Sequence, residues 1–107
     1  MSLDFYLTEV KPVRVFDANI THNLNKMAEA AGIYKCLWRP DENCIEKAHQ
    51  MIAPLSEGLA DMLSNPAKYK KFDSPNGWGV YEDFVVFVKN VLNACIENPN
   101  ADIEVSR

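Results

Sequence analysis

Between Val80 and Glu97 the chain carries its most apolar helical pattern, and few folds can accommodate it. Tyr81, Phe84, Val85, Val88, Leu92 and Cys95 recur every three or four residues, the spacing of one helix face. Val80, Phe87, Val91 and Ala94 widen that face, leaving Glu82, Asp83, Lys89, Asn90, Asn93 and Glu97 as a polar edge. A helix this apolar must be covered on more than one side. The helix at about 80–97 is therefore expected at the centre, with the other elements packed around it. Directly before it, Phe72-Asp-Ser-Pro-Asn-Gly-Trp-Gly has the composition of a turn.

The covering elements are legible in part. Residues 3–10 alternate as a strand, with Leu3, Phe5 and Leu7 opposite Asp4, Tyr6 and Thr8. Lys11-Pro12 offers a turn into a second alternating run at 13–16, which makes a hairpin, although Lys-Pro is not a favoured two-residue hairpin turn. Ile103 and Val105 alternate with Asp102, Glu104 and Ser106 in a terminal strand that can pair with the hairpin. Asp17-Ala-Asn-Ile-Thr leads into a first helix capped by Thr21 or Asn19. Its inner face is Ile20, Leu24, Met27, Ala28 and Ala31, and Gly32 suits a left-handed stop. Residues 33–38 read as extended chain or a loose helical turn.

A second helix is predicted to begin at Arg39-Pro40-Asp41-Glu42, with Ile45, Ala48, Ile52, Leu55, Leu59 and Leu63 facing inward. Pro54 either kinks this run or starts a separate helix within it. Asn65-Pro66 opens a short helical turn through Lys70, and the central helix ends near Asn98-Pro99. The expectation is one α+β domain spanning 107 residues: a small antiparallel sheet, hairpin plus C-terminal strand, against three to five helices.

Composition narrows function more than it defines it. A net charge of −4 does not suit extended nucleic acid as a partner. No apolar run approaches the roughly 20 residues of a membrane span, and the first residues lack a signal-peptide pattern. A cytoplasmic protein without a membrane partner is the expectation. Cys36, Cys44 and Cys95 read as buried free thiols rather than a disulfide framework. With His22 and His49 they do not form the two close pairs of a structural zinc site, so no metal and no cofactor is expected. No nucleophile signature appears.

The segment Asn76-Gly77-Trp78-Gly79 is the most open to a chemical reading. Glycines let the backbone approach a ligand, and the following helix start favours an anion, although Glu82 and Asp83 weaken that pull. The plainer reading is a tight turn that aims Trp78 into the core. A second polar cluster is Asn19, Thr21, His22 and Asn23, for which capping plus exposure is the plainer account. Arg39 offers a cation, or simply pairs with a nearby carboxylate. Lys68, Lys70 and Lys71 around Tyr69 form a small basic spot of the kind that is usually just solvated. If the first helix start and the Gly-Trp-Gly turn adjoin, Thr21, His22, Asn23, Arg39, Asn76, Gly77, Trp78, Gly79 and Tyr81 can line one binding site.

Four motifs carry a wider likeness: Asn19-Ile-Thr-His-Asn-Leu, Leu37-Trp-Arg-Pro, Asn76-Gly-Trp-Gly-Val-Tyr-Glu and the closing Val105-Ser-Arg. Across nearly the whole chain the sequence resembles a family of small uncharacterised proteins of bacteria, phages and prophages. No activity comes with that resemblance. Its setting implies a non-catalytic binding protein, an antagonist of host defence that blocks a protein or sequesters a small phosphorylated, nucleotide-like ligand. Two other classes stand beside it: a small enzyme using His22 as general acid or base, and an assembly component forming homo-oligomers.

Overall fold

The computed structural model describes residues 2–8 and 14–107 of the chain. Three strands form one antiparallel sheet: β1 (Ser2–Thr8), β2 (Arg14–Thr21) and β3 (Asp102–Ser106), in the order β2-β1-β3. β1 takes the middle place because its inner face is the most apolar, and Leu3, Phe5 and Leu7 are fully buried. The hairpin and the terminal strand thus form as expected. The proposed Lys11-Pro12 turn lies outside the described residues.

β2 runs further than the sequence pattern indicates. Asp17, Ala18 and Asn19 continue the ladder opposite Tyr6, Phe5 and Asp4 rather than leading into a helix. The Asn19 amide donates to Ser2 Oγ at 2.9 Å and Asp4 Oδ1 at 2.6 Å, which holds the strand to its end. Thr21 then caps a short 3-10 turn, His22–Leu24, by accepting from the Asn23 amide. Helix α1 (Asn25–Ala30) buries Met27 and Ala28, and the chain reverses at Gly32, φ +76°. The 33–38 segment resolves as a helical turn, α2 (Tyr34–Trp38).

The second predicted helix starts later than expected. Residues Pro40–Asn43 make a 3-10 turn that ends at Cys44 in a left-handed conformation, φ 58°. Residues 45–47 then run alongside β3, and the long helix α3 begins at His49 and continues to Ser64. It passes through Pro54 without division. Its inner face is Met51, Leu55, Gly58 and Met62, a rotation from the expected one, and Leu63 is half exposed. The cause is Gly58, which apolar periodicity does not count. An added Cβ there would collide with Ile33 Cγ2 and stand 3.1 Å from the Ala31 carbonyl oxygen. The helix turns its glycine inward to approach the 31–33 segment closely.

Helix α4 (Pro66–Lys70) starts at Pro66 as expected, and α5 (Tyr81–Glu97) follows the 71–80 turn. Burying a large apolar side chain contributes about 1.5–3 kcal/mol. α5 buries Phe84, Val88, Val91 and Cys95 completely, with Val85, Phe87, Leu92 and Ala94 nearly so. It packs on α3 along one side and on β2 along another, which makes it central to the core.

Replacing Gly58 with alanine tests the close approach. In an ordinary helix interior that change stabilises by about 1 kcal/mol. Here overpacking reverses the sign, and urea denaturation is expected to show a loss of about 1–3 kcal/mol.

Candidate functional site

Three of the four sequence motifs meet at the 3-10 turn His22–Leu24. The indole N–H of Trp38 donates to His22 Nδ1 at 2.7 Å, and the side-chain amide of Asn23 donates to the Trp78 carbonyl at 2.8 Å. Gly79 lies so near that a Cβ would stand 2.9 Å from Thr21 Cγ2, 3.2 Å from Asn23 Cβ and 3.2 Å from Leu24 Cγ. Its φ of +112° adds a second reason for glycine. The helix start and the Gly-Trp-Gly turn therefore do adjoin.

The turn is closed by its own hydrogen bonds. Gly77 N–H donates to the Ser74 carbonyl at 3.0 Å, and Trp78 N–H donates to Asn76 Oδ1 at 2.9 Å. The first amide of α5, Tyr81 N–H, donates to Asp73 Oδ1 at 2.7 Å. Asp73 thus caps the helix from eight residues upstream, a role that local sequence patterns of capping do not reveal. The amides of Gly77, Trp78 and Tyr81 are therefore already engaged and do not offer themselves to an anion.

Trp78 does not enter the core: it is 72% exposed. Its backbone is pinned by Asn76 and Asn23 while its ring stands in solvent. Beside it opens a cavity of about 720 Å³, whose walls include Thr21, Asn76, Gly77, Trp78 and Gly79 from the expected set. The remaining walls are Asp17, Ala18, Asn19 and Ile20 of β2 and Asp83, Val86, Phe87 and Asn90 of α5. The α5 residues follow helical spacing along the border between its polar edge and its apolar face. The β2 residues were not legible as a wall, because Asp-Ala-Asn does not look like a strand. Asp17 and Asp83 are the charged residues of the lining, which holds no lysine, arginine or histidine.

Other expected site residues go elsewhere. Tyr81 is buried, its hydroxyl donating to the Met62 carbonyl at 2.7 Å, so it braces α5 against α3. Arg39 pairs with Glu42 at 3.1 Å and borders a separate groove with Tyr34, Lys35 and Asn43. It supplies no cation to the Trp78 cavity. His22 stands outside the cavity lining and faces Trp38, which is stacked on Tyr34 at 5.5 Å. Because Nδ1 accepts from the indole, Nε2 of a neutral His22 carries the proton. A general base needs a free lone pair, and the Nδ1 lone pair is taken by Trp38. In the basic spot, Tyr69 is fully buried with its hydroxyl on Asp61, so it offers no stacking platform.

Burial pushes the Cys36 thiol up to about 12, and burial does the same to Cys95. Both stay protonated at neutral pH and are poor nucleophiles. Cys44, expected to be buried, is instead exposed on the left-handed turn that follows 40–43. His49 is exposed as well, and among the described residues no three His, Cys, Asp or Glu side chains gather around a metal-sized space. Among the described residues, no helix is long and apolar enough to cross a membrane. Comparison with protein families, curated proteins and solved structures finds no match to this chain.

The Gly79 contact separates two glycine roles within one turn. Around Gly77, φ +77°, nothing lies within 4 Å of an added Cβ. Gly77→Ala is expected to cost about 1 kcal/mol from left-handed backbone alone. Gly79→Ala adds collisions with the 21–24 turn and is expected to cost about 2–3 kcal/mol. Equal losses in thermal or urea unfolding would contradict the packing described.

Proposed function

We propose that this chain is a non-catalytic binding protein that engages a protein surface through Trp78 and the cavity beside it. The observation that carries the reading is an indole 72% exposed on a turn whose backbone is hydrogen-bonded in place. Val86, 56% exposed, extends the apolar ledge across the cavity. With the backbone already fixed, only the torsions of the indole itself are left to order on binding, and tryptophan is enriched among residues that dominate interface energetics.

Two considerations favour a protein over a phosphorylated small molecule. Asp17 and Asp83 oppose an anion, and the amides of Gly77, Trp78 and Tyr81 are already bonded. The likeness to phage and prophage proteins supports a role as an antagonist of host defence. Of its two modes, blocking a protein suits this cavity better than sequestering a nucleotide. The tautomer of His22 speaks against a general-base enzyme.

The test pairs capture with a surface variant. A partner captured by the wild-type chain, then purified, is expected to bind Trp78→Ser at least tenfold more weakly, about 1.4 kcal/mol or more. Thermal stability should hardly change, because the ring is largely solvated. A screen of nucleotides and cyclic nucleotides should leave the melting temperature unmoved. A nucleotide that raises it by several degrees, or is converted, would overturn the reading, as would a partner indifferent to Trp78→Ser.

A further inference from the structure

The long wall of the cavity is a strand edge. Five consecutive residues of β2, 17–21, line it. Side chains of a strand alternate between faces, so a cavity that meets every residue in succession runs along the edge and its backbone. β2 is an outer strand, and among the described residues no backbone hydrogen bond joins 14–20 to anything beyond β1. The opposite outer strand is covered differently. There the Ile103 N–H donates to the Glu46 carbonyl at 2.9 Å, and Lys47 bridges to Asp102 through backbone and an ion pair.

Across from β2, Asp83, Val86, Phe87 and Asn90 form one stripe of α5. Five strand residues reach about 13 Å from first to last, and seven helical steps about 10 Å. The two walls therefore match in length, with the 76–79 turn along the rim. An unpaired strand edge is a template for another strand, and extended peptides use it in β-augmentation. Charge selects among strands: Asp17 and Asp83 are both exposed, and among the described residues no cation lines the groove.

We propose that the outer edge of β2 accepts an extended segment of a partner protein as a fourth strand. The segment presents lysine or arginine to Asp17 and Asp83 and an apolar side chain to Trp78 and Val86. This rests on the protein-binding reading above and specifies its mode. A second copy of the chain is a poorer occupant, because pairing two β2 edges would bring two acidic grooves together.

A display selection of random eight-residue peptides on the purified full chain tests the mode. Selected peptides are expected to carry a basic residue on each strand face and an apolar residue toward α5, and to slow hydrogen exchange at alternate amides of 17–21. N-methylation of alternate peptide amides, in the register that faces β2, should weaken binding at least tenfold, as should Asp17→Lys with Asp83→Lys. Peptides that require Trp78 but tolerate N-methylation in both registers and leave 17–21 unprotected would overturn strand addition while leaving the binding reading intact. Selection of acidic peptides, failure to select any, or a dimer formed through β2 would also overturn it.

Discussion

The contact between Gly79 and the turn at 21–24 sets the position of everything around the site. It joins the end of β2 to the start of α5 at a separation that only a glycine allows, since a Cβ would meet Thr21 at 2.9 Å. Asn23 adds a hydrogen bond to the Trp78 carbonyl, and Asp73 caps the helix that follows. Leu24 lies in the core on the other side of the same turn. One short segment thus closes the sheet, begins α1 and fixes the direction from which α5 enters the core.

From that constraint the cavity follows. α5 is held against β2 by Ile20, Phe84 and Phe87 within the common core, yet its polar edge diverges from the strand and leaves space between them. The 76–79 turn has spent several of its polar groups on itself, and the one large side chain it leaves free is the indole of Trp78. A surface built this way offers apolar area on a pinned backbone, the strand edge of β2 and two carboxylates. Among the described residues its lining holds no cation to attract an anion. That combination is the physical reason for favouring a protein ligand.

Much of the fold was readable because it follows simple periods. Leu3, Phe5 and Leu7 alternate, α5 repeats every three or four residues, and both appear as read. The exceptions have local causes. Gly58 rotated α3 because close approach, not apolarity, decided which face turned inward. Cys44 in a left-handed conformation ended the 40–43 turn where the pattern suggested a continuing helix. The site was legible only in its pieces. Thr21 and the 76–79 segment do share a cavity; Arg39 takes the nearby carboxylate that spacing offered, Glu42 three residues on, whereas His22 and Tyr81 each have a partner elsewhere that no spacing rule identifies. Trp78 was the sharpest surprise, since an indole in a glycine-rich turn gives no sequence clue to whether it packs or protrudes.

The central claim is that a helix-centred core holds the outer edge of β2 open. Native-state hydrogen exchange on the free chain measures both halves at once. Amides of β1 and of the buried part of α5 are expected to exchange only through global unfolding. Along 16–20 of β2, slow amides paired to β1 should alternate with amides that exchange orders of magnitude faster. Uniformly slow exchange along β2, or opening of α5 below the free energy of global unfolding, would contradict the account.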